Sequence, residues 1–225
     1  MKQPVLDPSK ATYHLNELAI ARDARAPGHL LPPIPRRCRA VLDIGCGAGQ
    51  TLIASKLDDD VIACGVDPDA EALALGRTLT SRVHFGAAAG EALPFAAQTF
   101  DLVFSRVALP YMNIPRALVE MRRVLRPDGI IWLSLHPPHF AYLTMARAIR
   151  ARSLRGTIFP LYSLVNGLAL HLLNRQFGWP FGRARFESNQ TAAGMRRALK
   201  RAGFADVKIG AGRFFVVSAR KANGS

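Results

Sequence analysis

Short apolar runs alternate with stretches whose apolar residues recur every three or four positions. In RAVLDIG (39–45), Val41, Leu42 and Ile44 form a run broken only by Asp43 and stopped by glycine. That pattern fits a strand buried on both faces, as in a parallel sheet. A helix is expected near Thr51–Leu57. VIACGVD (61–67) is a second buried strand and ends in an acid. Pro68 and Asp69 then open a helix through Leu79, because proline suits a first turn and acids suit the positive end of the helix dipole. Further strands are expected at 82–85, at FDLVFS (100–105) and at GIIWLSL (129–135). A helix around 114–125 places Leu118, Met121 and Leu125 on one stripe, with Arg116, Arg122, Arg123 and Arg126 largely off it. Pro127-Asp128-Gly129 reads as its stop. Near the C-terminus a helix over 190–202 turns Met195, Ala198, Leu199 and Ala202 inward, with Gly203 as its cap. ADVKIG and RFFVVSA follow across the short turn Gly210-Ala211-Gly212, so one of these strands runs antiparallel to the rest.

Strands alternating with helices imply an α/β fold: a Rossmann-like, doubly wound, mostly parallel seven-stranded sheet with one antiparallel strand and an α-helical insertion between strands five and six. The 225 residues suit a single domain. Residues 1–38 form an N-terminal helical segment, with a helix near Tyr13–Arg25 placed to close one side of a ligand site. Residues 139–186 form the insertion.

The chemistry concentrates where the first strand meets its helix, in Asp43-Ile44-Gly45-Cys46-Gly47-Ala48-Gly49. Open α/β sheets bind ligands at the carboxyl ends of their strands. Glycines let the backbone turn tightly and let a ligand lie against it. A dinucleotide fingerprint would require glycine at position 50, where the chain has Gln50, which argues against NAD. Asp67 ends the second strand, where a carboxylate reaches both hydroxyls of a ribose. A tight turn and a helix-capping aspartate are the plainer alternatives for these two features.

VLDIGCGAGQT, GVDPDAEAL, GEALPFAAQTFDLVFSRVAL and ALVEMRRVLRPDGIIWLS, in this order and at these spacings, resemble the class I S-adenosylmethionine-dependent methyltransferases. The nearest branch holds the quinone-biosynthesis and many small-molecule methyltransferases. The resemblance is strong from Val41 to Ser134, generic over 187–219 and absent over 139–186. It implies S-adenosylmethionine as cofactor. Gly45, Gly47 and Gly49, with Cys46 between them, would flank its methionyl and ribose parts, and Asp43 would stand near its amino group. Asp67 would hold the ribose hydroxyls, and Pro68 would border the adenine. Ser105 would approach the methionyl end. Many relatives carry an aspartate four residues before LPF, where this chain has Ala89, so Gly90 and Glu91 would supply the adenine contacts.

Methyl transfer from a sulfonium is an in-line displacement that needs alignment first, and a base only if the acceptor must lose a proton. His136, after the strand IIWLSL, is the catalytic candidate; a loop histidine bonded to backbone is the alternative. Arg106, Tyr111 and His139 are candidates for the acceptor site. Asn/Asp-Pro-Pro-aromatic chemistry after strand four is missing, where the chain reads Ser105-Arg106-Val107-Ala108. Cys38, Cys46 and Cys64 have no CxxC spacing, which points to core cysteines in a reducing compartment, and no His/Cys cluster points to a metal. With no apolar leader in MKQPVLDPSK, a cytoplasmic protein is expected.

Charge changes the picture in the second half. Residues 139–225 carry a net +13 of the chain's +14. Such asymmetry points to an anionic partner, while 24 arginines against 6 lysines also fit a GC-rich genome. A basic helix is expected from Met145 through Arg155, bearing Arg147, Arg150, Arg152 and Arg155, and it leads into Gly156–Asn174, which lacks Asp, Glu, Lys and Arg. A transmembrane span is not expected, since strands on either side join one sheet. The segment reads first as a cap over an apolar acceptor, and secondly as a contact of 145–175 with an anionic membrane surface, peripheral to it. The function expected is methyl transfer to a small, hydrophobic or lipid-like molecule. The alternatives are an RNA-binding or RNA-modifying protein, disfavoured by 8% aromatic content and no RNA-binding motif, and a cofactor-binding protein without catalysis.

Overall fold

Ala40–Ile44 (β1) is buried at every position. It lies between two parallel neighbours, Ile62–Asp67 (β2) and Phe100–Arg106 (β4). A computed structural model describes residues 7–136, 139–150, 154–180 and 186–222. β2 pairs onward with Val83–Ala87 (β3), and β4 with Leu125–Leu135 (β5). Phe215–Lys221 (β7) then runs antiparallel between β5 and Phe204–Ala211 (β6), giving the seven-stranded order β3-β2-β1-β4-β5-β7-β6. The sequence of β1 dictates its central place. Val41 and Leu42 point to opposite faces and each is fully buried, so both faces need a covering layer.

Those layers come from helices whose apolar stripes match their burial. Ile114–Val124 (α4) buries Ile114, Ala117, Leu118, Met121 and Val124, and Ala192–Arg201 (α7) buries Met195, Ala198 and Leu199. The arginines of α4 stay off the buried stripe, as the periodicity requires. On the other face, Val41, Leu52, Leu102, Phe104 and Trp132 pack in a second cluster. Gln50–Ala54 (α2) and Ala70–Leu79 (α3) follow β1 and β2.

Several boundaries differ from the sequence expectation, each for a local reason. The N-terminal helix begins at Pro8 and ends at Arg22 (α1), earlier than Tyr13–Arg25, because Asp7 caps it through Ser9 N (2.9 Å) and Pro8 sits in the first turn. α2 is short because Lys56 turns left-handed, with φ of 46°. Leu125 is a strand residue, not the last of α4. It pairs with Phe100, and the next β5 partner, Ile130, pairs with Leu102. Pro127-Asp128-Gly129 therefore marks an irregularity within β5, where Asp128 has φ of 59°, rather than a gap before it. The final hairpin turns one residue later than expected, since Ala211 still pairs with Phe215. In the insertion, a helix spans His139–Arg150 (α5), and a second, Leu154–Leu173 (α6), holds Arg155 and the apolar run up to Leu173, with Pro160 inside it, so the basic helix expected over Met145–Arg155 is not one element. All three cysteines are free and buried.

One carboxylate ties the amino end of β1 to its neighbours. Asp101 accepts from Arg39 N (2.8 Å), Ala40 N (2.9 Å) and the Arg126 guanidinium (2.9 Å). Burial opposes its ionisation, but the backbone donors at Arg39 and Ala40 and the Arg126 charge outweigh it and hold its pKa below the ordinary value. A lowered pKa stabilises the fold above the unfolded-state value and is lost as pH falls through the folded one. Asp101→Ala should cost about 1–3 kcal/mol at neutral pH. In chemical denaturation it should flatten the loss of stability that the parent shows below about pH 4.

Candidate active site

Three left-handed glycines shape the loop that leaves β1. Gly45, Gly47 and Gly49 have φ of 74°, 55° and 78°. A side chain on Gly45 would run into the Ala108 Cβ, and one on Gly49 into the Phe85 ring. The first two residues of the loop anchor to the neighbouring strand, with Gly45 N and Cys46 N both donating to Val66 O (2.8 and 3.1 Å). Asp67 fixes the rest. One of its oxygens accepts from Gly47 N and the other from Asp69 N, each at 2.8 Å.

Two cavities open on this loop, of about 310 and 620 Å³, and Gly45, Asp67, Ala108 and Tyr111 line both. The larger is walled by Pro68, Ala89, Gly90, Glu91, Met112 and Asn113, among others. The smaller runs past Asp43, Cys46 and Gly47 to Arg106, Val107 and His136, and α1 roofs it with Tyr13, His14 and Glu17. The expected residues Asp43, Gly45, Cys46, Gly47, Asp67, Pro68, Gly90, Glu91, Arg106, Tyr111 and His136 therefore line one pair of adjoining cavities. Gly49 lines neither and serves the loop's turn. Ser105 is fully buried in β4 and lines neither cavity; the residues after it, Arg106, Val107 and Ala108, form the wall. The side chain of His139 lies outside the described residues.

The electrostatics are uneven. Asp43 is buried, and its Oδ1 has no hydrogen-bond partner among the described residues. Burial pushes its pKa well above the carboxylate range; the like charge of Asp67 adds to this and Arg106 opposes it. Burial likewise keeps the Cys46 thiol protonated, with Asp43 and Asp67 adding to the effect. Arg106 is engaged by Glu17 (3.0 Å) and reaches Gly28 O (3.4 Å), so its guanidinium is already paired with a neighbouring carboxylate. Glu91 accepts from Asn113 N at 2.6 Å, holding the start of α4 as well as lining the cavity. His136 Nε2 lies 3.2 Å from the Tyr111 hydroxyl, with the rings edge to face, and burial lowers the His136 pKa.

Several wall residues escape a reading of motifs. His14 bonds Gln50 (Nδ1 to Nε2, 2.7 Å) and stands against Gly47; its pKa is lowered by burial, against the pull of Asp67 and Asp69. Their only trace in sequence is the i, i+4 pair Tyr13–Glu17 with His14 between, a polar patch on one side of a weakly amphipathic helix. Val107 adopts φ of 64°, rare for a β-branched residue, with its N–H donated to Ser134 O (2.8 Å).

Residues 42–133 match the family described as "Methyltransferase domain". Among curated relatives, the chain is 33% identical over 150 residues to the mitochondrial arginine-hydroxylase NDUFAF5 of Homo sapiens, covering 63% of this chain and 42% of the relative. It is 34% identical over 109 residues to the malonyl-[acyl-carrier protein] O-methyltransferase of Enterobacter lignolyticus, covering 48% of this chain and 43% of the relative. The chain thus spans less than half the length of these two proteins. Among solved structures, an S-adenosylmethionine-dependent methyltransferase from Mesorhizobium loti shares the fold with a TM-score of 0.55 at 20% identity, covering 84% of this chain and 93% of that one. A Haloferax volcanii protein solved in complex with the Trm112 methyltransferase activator does so with a TM-score of 0.64 at 15% identity, covering 96% of each chain. With the glycine loop, Asp67 and the strand order in place, residues 42–133 match a methyltransferase domain, and the chain around them has the fold of these solved methyltransferases.

Proposed function

We propose that this protein transfers a methyl group from S-adenosylmethionine to a small, uncharged, largely apolar acceptor. The observation that carries the reading is the unpartnered oxygen of buried Asp43 beside the glycine loop. A buried carboxylate without a partner is costly, and an ammonium group is the partner that relieves the cost. The cofactor carries that group at its methionyl end, so the residues present fit it. Asp67, on the wall common to both cavities, keeps lone pairs for ribose hydroxyls beyond its two backbone bonds. Pro68, Gly90 and Glu91 border the larger cavity, where an adenine would lie.

When bound, the cofactor supplies an electrophilic methyl carbon on sulfur. The chain's own contribution is orientation and the handling of one proton. The smaller cavity offers Tyr13, Val107, Ala108 and Tyr111 to an apolar molecule. Its one arginine is already neutralised by Glu17, which supports an uncharged acceptor over an acidic one. His136, kept neutral near pH 7 by its lowered pKa, is fit to take a proton, and the Tyr111 hydroxyl extends that capacity toward the acceptor. The three unpaired cysteines support a reducing, cytoplasmic setting.

Two experiments test this. Asp43→Asn should weaken S-adenosylmethionine binding roughly tenfold or more in calorimetry, the cost of losing a charged hydrogen bond. A raised folded-state pKa contributes stability in acid that is lost as pH rises, so Asp43→Asn should also make the ligand-free protein more stable. The gap should widen as pH climbs above about 4. Saturation by NAD, with no heat from S-adenosylmethionine, would sink the reading.

His136→Gln addresses the proton. Parent turnover should rise with pH through a value below about 6.5 and then level off. The variant should lose that acid limb together with about a hundredfold or more of kcat, within the range of general-base contributions. An unchanged profile would leave alignment as the whole of catalysis.

A further inference from the structure

α6 keeps an apolar face turned outward. Ile158, Leu161, Val165, Leu168 and Leu172 recur at three- and four-residue spacing along one face, and each is 51–58% exposed. The opposite face, turned to the protein, buries Ser163, Asn166 and Gly167 between Pro160 and Leu170. Asn166 Nδ2 donates to Phe177 O and Glu187 O, both at 3.0 Å, and its Oδ1 accepts from Phe177 N at 2.8 Å. Ser163 accepts from Asn189 through its carbonyl (3.2 Å) and its hydroxyl (2.9 Å). A side chain at Gly167 would meet the Asn189 carbonyl. These bonds fix the rotation of α6 about its axis, so the leucines cannot turn inward without breaking a buried polar network.

We infer that this outward face docks on an anionic lipid bilayer, lying in the interface with its aliphatic side chains among the acyl chains. Charge selects that occupant. No Asp or Glu falls between Asp128 and Glu187, while Arg147 and Arg150 on α5 and Arg175 just after α6 are exposed. Leu143 and Ile149 on α5, and Phe177 beyond α6, add exposed apolar surface. An apolar stripe on a segment with exposed arginines and no acids matches acyl chains beneath phosphates. A second copy would set arginines against arginines with no carboxylate to pair them. Among the described residues no helix is long and apolar enough to cross a membrane, which fits a helix that lies on one. α5 starts three residues after His136, which lines the smaller cavity. The inference stands apart from the methyl-transfer reading, since it needs no cofactor.

The test is sedimentation of the full chain with phosphatidylcholine vesicles, with and without a minor fraction of phosphatidylglycerol. Binding should appear with phosphatidylglycerol, remain weak without it, and fall as salt is raised. Arg147→Gln with Arg150→Gln should lower affinity about fivefold per arginine. Leu161→Glu with Leu168→Glu should reduce it at least about tenfold. Cofactor binding and circular dichroism control for folding of each variant. Leu168→Cys bearing an environment-sensitive dye should shift to the blue on the anionic vesicles, a readout that leaves the face intact. Undiminished vesicle binding by the Leu161/Leu168 variant would overturn the proposal. So would a protein that ignores both vesicles, whether it runs as a monomer, as a dimer through this face, or joins only an acidic protein.

Discussion

The site depends on one carboxylate placed between two backbone amides. Asp67 accepts from Gly47 in the loop after β1 and from Asp69 at the start of α3, so it joins two strand-to-helix turns that are far apart in sequence. The glycines make the loop geometrically possible, but freedom to adopt left-handed angles does not choose among them. The bond from Gly47 N, with the anchors on Val66 O, does that choosing. Because Asp67 ends β2, the register of β2 against β1 sets where the loop can be held. Sheet register and loop geometry are thus one constraint seen at two scales.

Asp43 shows the opposite use of a carboxylate. Where Asp67 is satisfied by the chain, Asp43 is buried with an oxygen left over, and its environment resists charge. Local inconsistencies of this kind concentrate where a fold is shaped for something other than its own stability. Val107 belongs to the same class, a β-branched residue in a left-handed conformation on the cavity wall. Both features lie beside the hydrogen-bonded ends of β1 and β4.

Much of this was legible in the residues. The parallel strands could be read as buried apolar runs, and the single antiparallel strand from a turn too short for a crossover. The glycine loop and Asp67 could be read because their spacing is linear and their chemistry needs those residue types. Ser105 was misplaced, because strand parity turns its side chain into the sheet while its neighbours reach the cavity. Pro127-Asp128-Gly129 looked like a break because turn residues mark an irregular strand as readily as a helix end. His14 and Glu17 could not be read, since their partners Gln50 and Arg106 stand 36 and 89 residues away. The outward face of α6 was hidden for a related reason: composition showed an apolar run, and only the hydrogen bonds of Asn166 and Ser163 show which side of it faces the protein.

The anchorage of α1 bears on how molecules enter and leave. This roof is pinned by Lys10 to Asp69 and Glu71, by Glu17 to Arg106 and by His14 to Gln50. The lysine is about half exposed, at 48%, and pairs of that kind are worth little in water. Among the residues of α1, only Leu18 and Ala21 are buried. Lifting the helix therefore sacrifices little apolar contact, and the ions it separates regain water. Such a roof is a door with a shallow latch over the smaller cavity, held by polar contacts more than by apolar burial.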